Sequence, residues 1–525
     1  MALLTTLLGI IAILGASPAS AHAVLVSSNP ADGSRLEQAP AEIHLTFSEP
    51  VSLIAGMTTV LSTTGDRADT GAPHLDRSGE GILIPLRPDL PKGSYLVTWR
   101  VVSADTHIIS GSIAFGVRQA ADLANTAPDV PSTSLDVVAE TAQGLLYLGL
   151  IAGLGIPAVA CALWPQALRR RRVRVTARLG WLLVAVASAL RFLLQGPRAL
   201  EAGWSGVFHL DGASQTASTD YGRELLVHVV LALALMVLAP AIARSRARLT
   251  TAFGVLVAGV LATMALAGHA RVGADAWAAV PIAAVHLAAM AVWLGGLALL
   301  LMTPRETSVE IALVRTWSKI AFVSVAILIV TGEYQAWRQL KPLPSLWSTE
   351  YGTRLLIKLA LVVVTLAIAL VAHRALLRTE PDIRRVRRAV RVEAVVAAAV
   401  VVVATLLVST PPAATSYGPA TTLSASIGPD RLDVHVSTTR HGPEQIVVTP
   451  TSADGARLAL SSLTATLSST EHDIAGLSVR MVRAADGTWH STGAVVPLAG
   501  RWTLTLNVSI DQATGYATRV SYDVW

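Results

Sequence analysis

The 525-residue chain is 52% hydrophobic and only 14% charged, with a mean hydropathy of +0.55, which excludes an ordinary soluble globular protein and points to several membrane spans. Its net charge of +6 does not mark a nucleic-acid partner, because the arginines fall in short blocks between apolar runs, as in loops on the cytoplasmic side of a membrane. The single cysteine, Cys161, lies inside an apolar run, so an intramolecular disulfide is excluded and any metal site must use His, Met or carboxylate ligands.

Residues 1–21 read as a secretory signal: an apolar stretch from Leu3 to Leu14, then small residues ending in Ala19-Ser20-Ala21. Cleavage there makes His22 the first residue of the mature chain, whereas the second frame, Ala21-His22-Ala23, cuts before Val24 and removes it. An N-terminal histidine offers a metal both its α-amino nitrogen and an imidazole nitrogen. Asp105 and His107 supply two further candidate donors, and two imidazoles, an amine and a carboxylate suit square-planar or tetragonal Cu(II). From 22 to 119 short alternating runs such as Ile43-His44-Leu45-Thr46-Phe47 and Tyr95 to Val101 are separated by turn signals, which predicts a small antiparallel sandwich or barrel. Asp105 and His107 follow the strand Thr98 to Val102, and if extended they face the same side. Residues 120–135, rich in Ala, Pro, Asp and Thr, read as a linker.

Between 136 and 409 eight apolar runs occur, at about 136–164, 177–196, 221–243, 250–268, 276–302, 316–338, 351–376 and 389–409. Each is long enough for a hydrocarbon core of about 30 Å, or roughly 20 helical residues. The intervening loops alternate between basic and charge-poor, and with basic loops in the cytoplasm both ends of the chain face outward. Ser218 to His228 matches Ser348 to Lys358 at an offset of 130 residues, at the starts of the third and seventh spans. Two four-helix halves related by a parallel repeat follow, with a site between the halves as one reading. In the other, each Tyr-Gly pair merely starts a helix, its tyrosine anchored at the membrane interface. After Thr410-Pro411-Pro412 alternation returns, and 410–525 reads as a second exported β-sandwich.

His22-Ala-Val-Leu-Val-Ser-Ser-Asn-Pro-Ala-Asp-Gly33, Val101-Val-Ser-Ala-Asp-Thr-His107 and Ser110-Gly-Ser112 resemble the periplasmic copper-binding protein CopC. The resemblance implies a cupredoxin-like or immunoglobulin-like β fold with a Cu(II) site at His22, Asp105 and His107. Thr106 and Ile108 depart from the family's usual Gly and Pro, and Met57 stands alone where some members carry a methionine-rich Cu(I) segment, so only a Cu(II) site is expected here. Gly268-His269-Ala270, His286 to Gly296, Thr331-Gly332, Ser348 to Lys358, Glu393 and Thr410-Pro-Pro412 are similar to CopD, the copper-resistance membrane protein, and the domain order is that of CopC and CopD fusions.

Cu(I) prefers soft or borderline ligands, and ionisable residues inside a membrane are functional candidates because their burial is costly. His286 and Met290 lie four apart on one helical face, near mid-membrane. His269, Met264 and His228 complete an expected relay for Cu(I), with Trp293 lining it; Glu140, Gln143, Arg191, Glu224, Glu333, Lys358 and Glu393 suit pairing between helices. No P-loop is present, which excludes a nucleotide-driven pump of that kind. The expectation is a multi-pass cell-membrane protein, not an enzyme, whose partners are copper ions, the lipid bilayer and a cuproenzyme or copper chaperone. A membrane-anchored sensor or assembly scaffold is one alternative. A copper-brace oxidase is another, disfavoured because an added carboxylate favours holding Cu(II) over cycling.

Overall fold

The computed structural model describes residues 23, 25–104, 108–119, 121, 134–200, 202–242, 248–272, 275–302, 307–376, 383–472, 474–492, 494–496, 498–511 and 514–525. The chain divides into a helical unit spanning 130–413 and a unit of β structure formed by 22–129 and 414–525.

The N-terminal β region carries strands β1 (Leu25–Asn29), β2 (Arg35–Leu36), β3 (Glu42–Phe47), β4 (Val51–Leu53), β5 (Thr59–Ser62), β6 (His74–Leu75), β7 (Gly81–Pro85), β8 (Gly93–Ser103) and β9 (Ile108–Val117). They form two sheets, β1-β3-β7-β6 and β2-β9-β8-β4, with β5 also paired to β8. Period-two alternation puts Ile43, Leu45, Phe47, Ile82 and Ile84 of the first sheet and Val97, Val101 and Phe115 of the second into one shared core. The β8–β9 hairpin is antiparallel from Gly93↔Val117 to Val102↔Ile108.

In the helical unit the helices are α1 (Ser134–Leu163), α2 (Arg171–Ala199), the short α3 (Leu210–Ser218), α4 (Asp220–Ile242), α5 (Arg248–Leu266), α6 (Ala276–Met302), α7 (Thr307–Gln339), the four-residue α8 (Ser345–Ser348), α9 (Glu350–Leu376) and α10 (Ile383–Val408). Among the described residues seven of them are long and apolar enough to cross a membrane; the eighth run of the sequence is α5, whose apolar stretch, Thr251–Leu266, is shorter. Small residues let helices approach closely, as is common in membrane bundles. A Cβ on Gly155 would stand 1.8 Å from the Ala291 carbonyl oxygen, and one on Gly180 would stand 2.4 Å from the Gly153 nitrogen. Gly155 closes a π-helical turn, Ile151–Gly155, that interrupts α1 where it meets α6.

The matched segments of the repeat have one structural role. Thr219 and Thr349 accept the backbone N–H of Gly222 (3.0 Å) and Gly352 (3.1 Å), which are N-caps. Each glycine lies under the preceding short helix: a Cβ on Gly222 would be 1.8 Å from the Thr216 carbonyl oxygen, and on Gly352 2.2 Å from that of Leu346. Tyr221 and Tyr351 are buried, 5% and 4% exposed, rather than presented at the membrane interface.

The C-terminal region differs in kind from a sandwich of two separate sheets. Eight antiparallel strands, from Thr421–Ile427 at one edge to Gly515–Val524 at the other, form one continuous sheet, and these two edge strands lie side by side, so the sheet curls toward a barrel around a single core that includes Trp502, Leu504 and Val434. Alternation reports only that each strand buries one face, which holds equally for a sandwich and a curled sheet.

Candidate copper-handling sites

The three expected Cu(II) donors, His22, Asp105 and His107, lie outside the described residues, but their immediate frame is described. The Ala23 backbone N–H donates to Ser103 Oγ at 3.3 Å, and Ser103 Oγ in turn donates to Glu49 Oε1 in a short hydrogen bond. Ala23, Ser103 and Glu49 are all buried, Glu49 to 3% exposure. The residue that follows His22 is thus pinned against the end of β8, two residues before Asp105, with a carboxylate alongside.

Glu49 is the residue that reading the sequence for His and Asp spacing overlooks. A signal for it exists: Ile43, Leu45 and Phe47 alternate inward along β3, and continuing that period by two places puts Glu49 on the buried side. The other buried carboxylate of this region is structural. Burial alone would raise the Asp69 carboxyl, but its bond to the Arg67 guanidinium, 2.6 Å, and the Val60 N–H hold it below the usual range.

In the membrane-spanning region the candidate ligands occupy distinct surroundings. His286, ten residues into α6, is bonded through Nδ1 to Thr331 Oγ1 of α7 at 2.8 Å. The Thr331 hydroxyl donates to the Ile327 carbonyl at 2.6 Å, so its oxygen is left to accept, and Nδ1 must carry the imidazole proton. The lone pair of His286 is thereby assigned to Nε2, the arrangement in which a histidine coordinates metal. Gly332 makes room for the ring, since a Cβ there would touch His286 Cε1 at 3.3 Å. Lys358 of α9 lies close enough to act on His286 electrostatically.

Met264 of α5 and Met290 of α6 are half-buried and pack against the same two apolar clusters, one containing Trp293 and Leu297, the other Trp181 and Val260. His228 of α4 is buried, with the Val260 backbone and the Arg191 guanidinium beside it. Val260, beside His228, belongs to one of the clusters against which Met264 and Met290 pack, whereas the side-chain partner of His286 is Thr331 of α7. No group of three or more His, Cys, Asp or Glu side chains poised for a metal occurs among the described residues.

His269 lies past the end of α5 in a 3-10 turn and is 8% exposed. Its carbonyl oxygen accepts Arg338 Nη1 at 3.2 Å. Arg338 also donates to the Val272 carbonyl at 2.5 Å and forks onto Asp275, Nε to Oδ2 and Nη2 to Oδ1, both at 2.9 Å. Burial would raise the Asp275 carboxyl, yet the Arg338 and Tyr334 hydrogen bonds outweigh it and hold it below the ordinary carboxylate range. On the other side Arg271 pairs with Asp220 and Glu224 of α4, each at 3.2 Å. The segment carrying His269 is therefore fastened to α4 and α7. Glu393 of α10 is buried and its carboxylate is hydrogen-bonded to the Trp293 side chain.

Residues 25–118 match the CopC domain, 134–277 the copper resistance protein D-like N-terminal domain and 311–407 copper resistance protein D. The chain is 28% identical over 370 residues to the copper transport protein CutJ of Bacillus subtilis (strain 168), covering 66% of this chain and 67% of that protein. It is 42% identical over 107 residues to copper resistance protein C of Pseudomonas syringae pv. tomato, covering 19% of this chain and 83% of that protein. Copper resistance protein C of Xanthomonas campestris pv. juglandis is 36% identical over 122 residues, covering 22% of this chain and 94% of that protein. With a CopC domain followed by both copper resistance protein D domains in one polypeptide, the chain belongs to the family of CopC and CopD fusions.

Proposed function

We propose that this protein captures Cu(II) on the outer face of the cell membrane and passes copper to its helices, which move it inward or deliver it to a cuproenzyme or copper chaperone. Copper is the cargo. The observation that carries the reading is the pinning of the Ala23 N–H to Ser103, whose hydroxyl is bonded to Glu49, which favours a mature N-terminus meeting the β8–β9 connection. The His22 amine and imidazole, the His107 imidazole and the Asp105 carboxylate then converge, with the Glu49 carboxylate adjacent. Hard carboxylates and borderline nitrogens of this kind suit Cu(II). Protonation of the amine and imidazoles releases the ion as pH falls.

In the same reading His286 Nε2 and Met290, one turn apart on α6, are the mid-membrane ligands for Cu(I), His269 and Met264 stand toward the outer end, and His228 belongs to the first half. Eight crossings with basic loops in the cytoplasm put both β regions outside. Two measurements test the proposal together. The mass of the secreted N-terminal fragment should correspond to a chain beginning at His22 and should increase by one copper, and His22→Ala should abolish tight Cu(II) binding. Copper accumulation under limiting copper should fall in cells lacking the protein and rise on overexpression. Intact Cu(II) binding without any change in accumulation would instead identify an anchored sensor or scaffold.

A further inference from the structure

A buried polar seam runs between α1, α2 and α4. On α2, Ser188, Arg191, Gln195 and Arg198 recur at spacings of three and four; Gln143 and Tyr147 face them from α1, and Tyr221, Glu224 and His228 from α4. Contacts link these rows. At one end Arg198 Nε donates to Asp136 at 2.7 Å and its Nη1 lies 3.5 Å from Gln195 Oε1. Deeper, the Arg191 guanidinium lies 5.5 Å from the Tyr221 ring centre and acts on both Tyr147 and His228, while Gln143 hydrogen-bonds Tyr147.

Along this seam, buried atoms are left without hydrogen-bond partners: Gln143 Oε1, Ser188 Oγ, Gln195 Nε2 and Glu224 Oε2. A buried polar atom left dry is destabilising, so such atoms are few in folded proteins, and here several line one seam. Acceptors and donors are mixed, which fits neither a metal ion nor an anion and fits water, which serves both. Below them the seam ends at Trp181, Val184, Ala232 and Leu235, which belong to one apolar cluster. Ser188 is eleven residues from the Ala199 end of α2, or about 16 Å at the helical rise per residue.

We propose that this seam is an aqueous vestibule: a file of bound water opening at the Asp136–Arg198 end and reaching Ser188 and His228 within the span. It gives a mid-membrane histidine contact with solvent whether or not copper visits that residue.

Thiol accessibility tests it on the full chain. In a Cys161→Ser background, Ser188→Cys and Gln143→Cys are compared with Val184→Cys and Leu235→Cys, whose native side chains are fully buried at 0% exposure. Val184 continues the α2 row one turn below Ser188, past the end of the seam, and both it and Leu235 lie in the apolar cluster. The proteins are placed in nanodiscs, checked for monodispersity and reacted with a small charged methanethiosulfonate. The thiols of the seam should react at least about tenfold faster than the thiols at 184 and 235, because a thiol ionises in water and not in apolar surroundings. Rates at Ser188→Cys and Gln143→Cys no faster than at Val184→Cys would overturn the proposal. The copper reading is unaffected by that result, since accumulation and mass measurements test it separately.

Discussion

Replacing Thr331 by valine removes one hydroxyl at nearly constant volume and isolates the orientation of His286. In the protein His286 Nδ1 is 2.8 Å from Thr331 Oγ1, whose own proton goes to the Ile327 carbonyl 2.6 Å away. The variant leaves the imidazole N–H unpaired at a cost of about 1–3 kcal/mol, which the ring escapes by rotating or changing tautomer. Either response takes the lone pair away from Nε2. Loss of a partner that orients a metal-binding histidine typically weakens the metal by about 10–100-fold. Uptake rates measured against free Cu(I) should show the half-saturating copper concentration rising by that factor, with the maximal rate much less affected. Thr331→Ser should restore wild-type behaviour, since it keeps the hydroxyl. If His286→Ala abolishes uptake while Thr331→Val leaves it unchanged, the tautomer argument is wrong; if His286→Ala is itself silent, His286 is not on the route.

Glu49→Gln keeps the shape and the Ser103 hydrogen bond but removes the charge beside the N-terminal segment, so Cu(II) affinity measured by chelator competition should fall by about tenfold; an unchanged affinity would remove Glu49 from the site. Gly222→Ala places a Cβ 1.8 Å from the Thr216 carbonyl oxygen, a backbone clash expected to destabilise by about 1–3 kcal/mol and to lower the amount of folded protein in the membrane. Gly254→Ala on α5, where nothing lies within 4 Å of the new Cβ, should be neutral or better, and equal losses for both would show that the close approach is not what matters. In the C-terminal β region burial pushes the Glu444 carboxyl up from 4.5 to about 7, only partly countered by the 2.6 Å bond from Tyr522 Oη. The folded state therefore holds that proton longer than the unfolded state. Its stability is full below the ordinary value and declines as pH rises toward 7, by about 3 kcal/mol in total. Hydrogen exchange of peptides covering 515–525, corrected for intrinsic rates, should speed up across that window, and Glu444→Gln should flatten the trend.

Much of the architecture is legible residue by residue. Runs of some 20 apolar residues fold as helices because no other structure satisfies their backbone in lipid, and the runs near 136, 177, 221, 250, 276, 316, 351 and 389 all appear as helices. The alternation through Ile43, Leu45 and Phe47 appears as a strand of a two-sheet core. The repeat itself does not show why glycine follows each tyrosine. The reason is the carbonyls of Thr216 and Leu346, which occupy the space a side chain would need.

Other features depend on partners far apart in the chain. His286 is visible as an intramembrane histidine, but its proton position depends on Thr331, 45 residues away. Glu49 gains significance only because Ser103, 54 residues further on, donates to it and in turn accepts the Ala23 N–H across 80 residues of chain. The curled C-terminal sheet is likewise decided by which edge strands meet. Composition and period are local quantities, so the amino-acid order alone determined which segments form long apolar helices, which strand faces are buried and which side chains are of metal-ligand type. Hydrogen-bond partners, strand closure and the lining of a seam are products of long-range packing, and only the tertiary structure decided those.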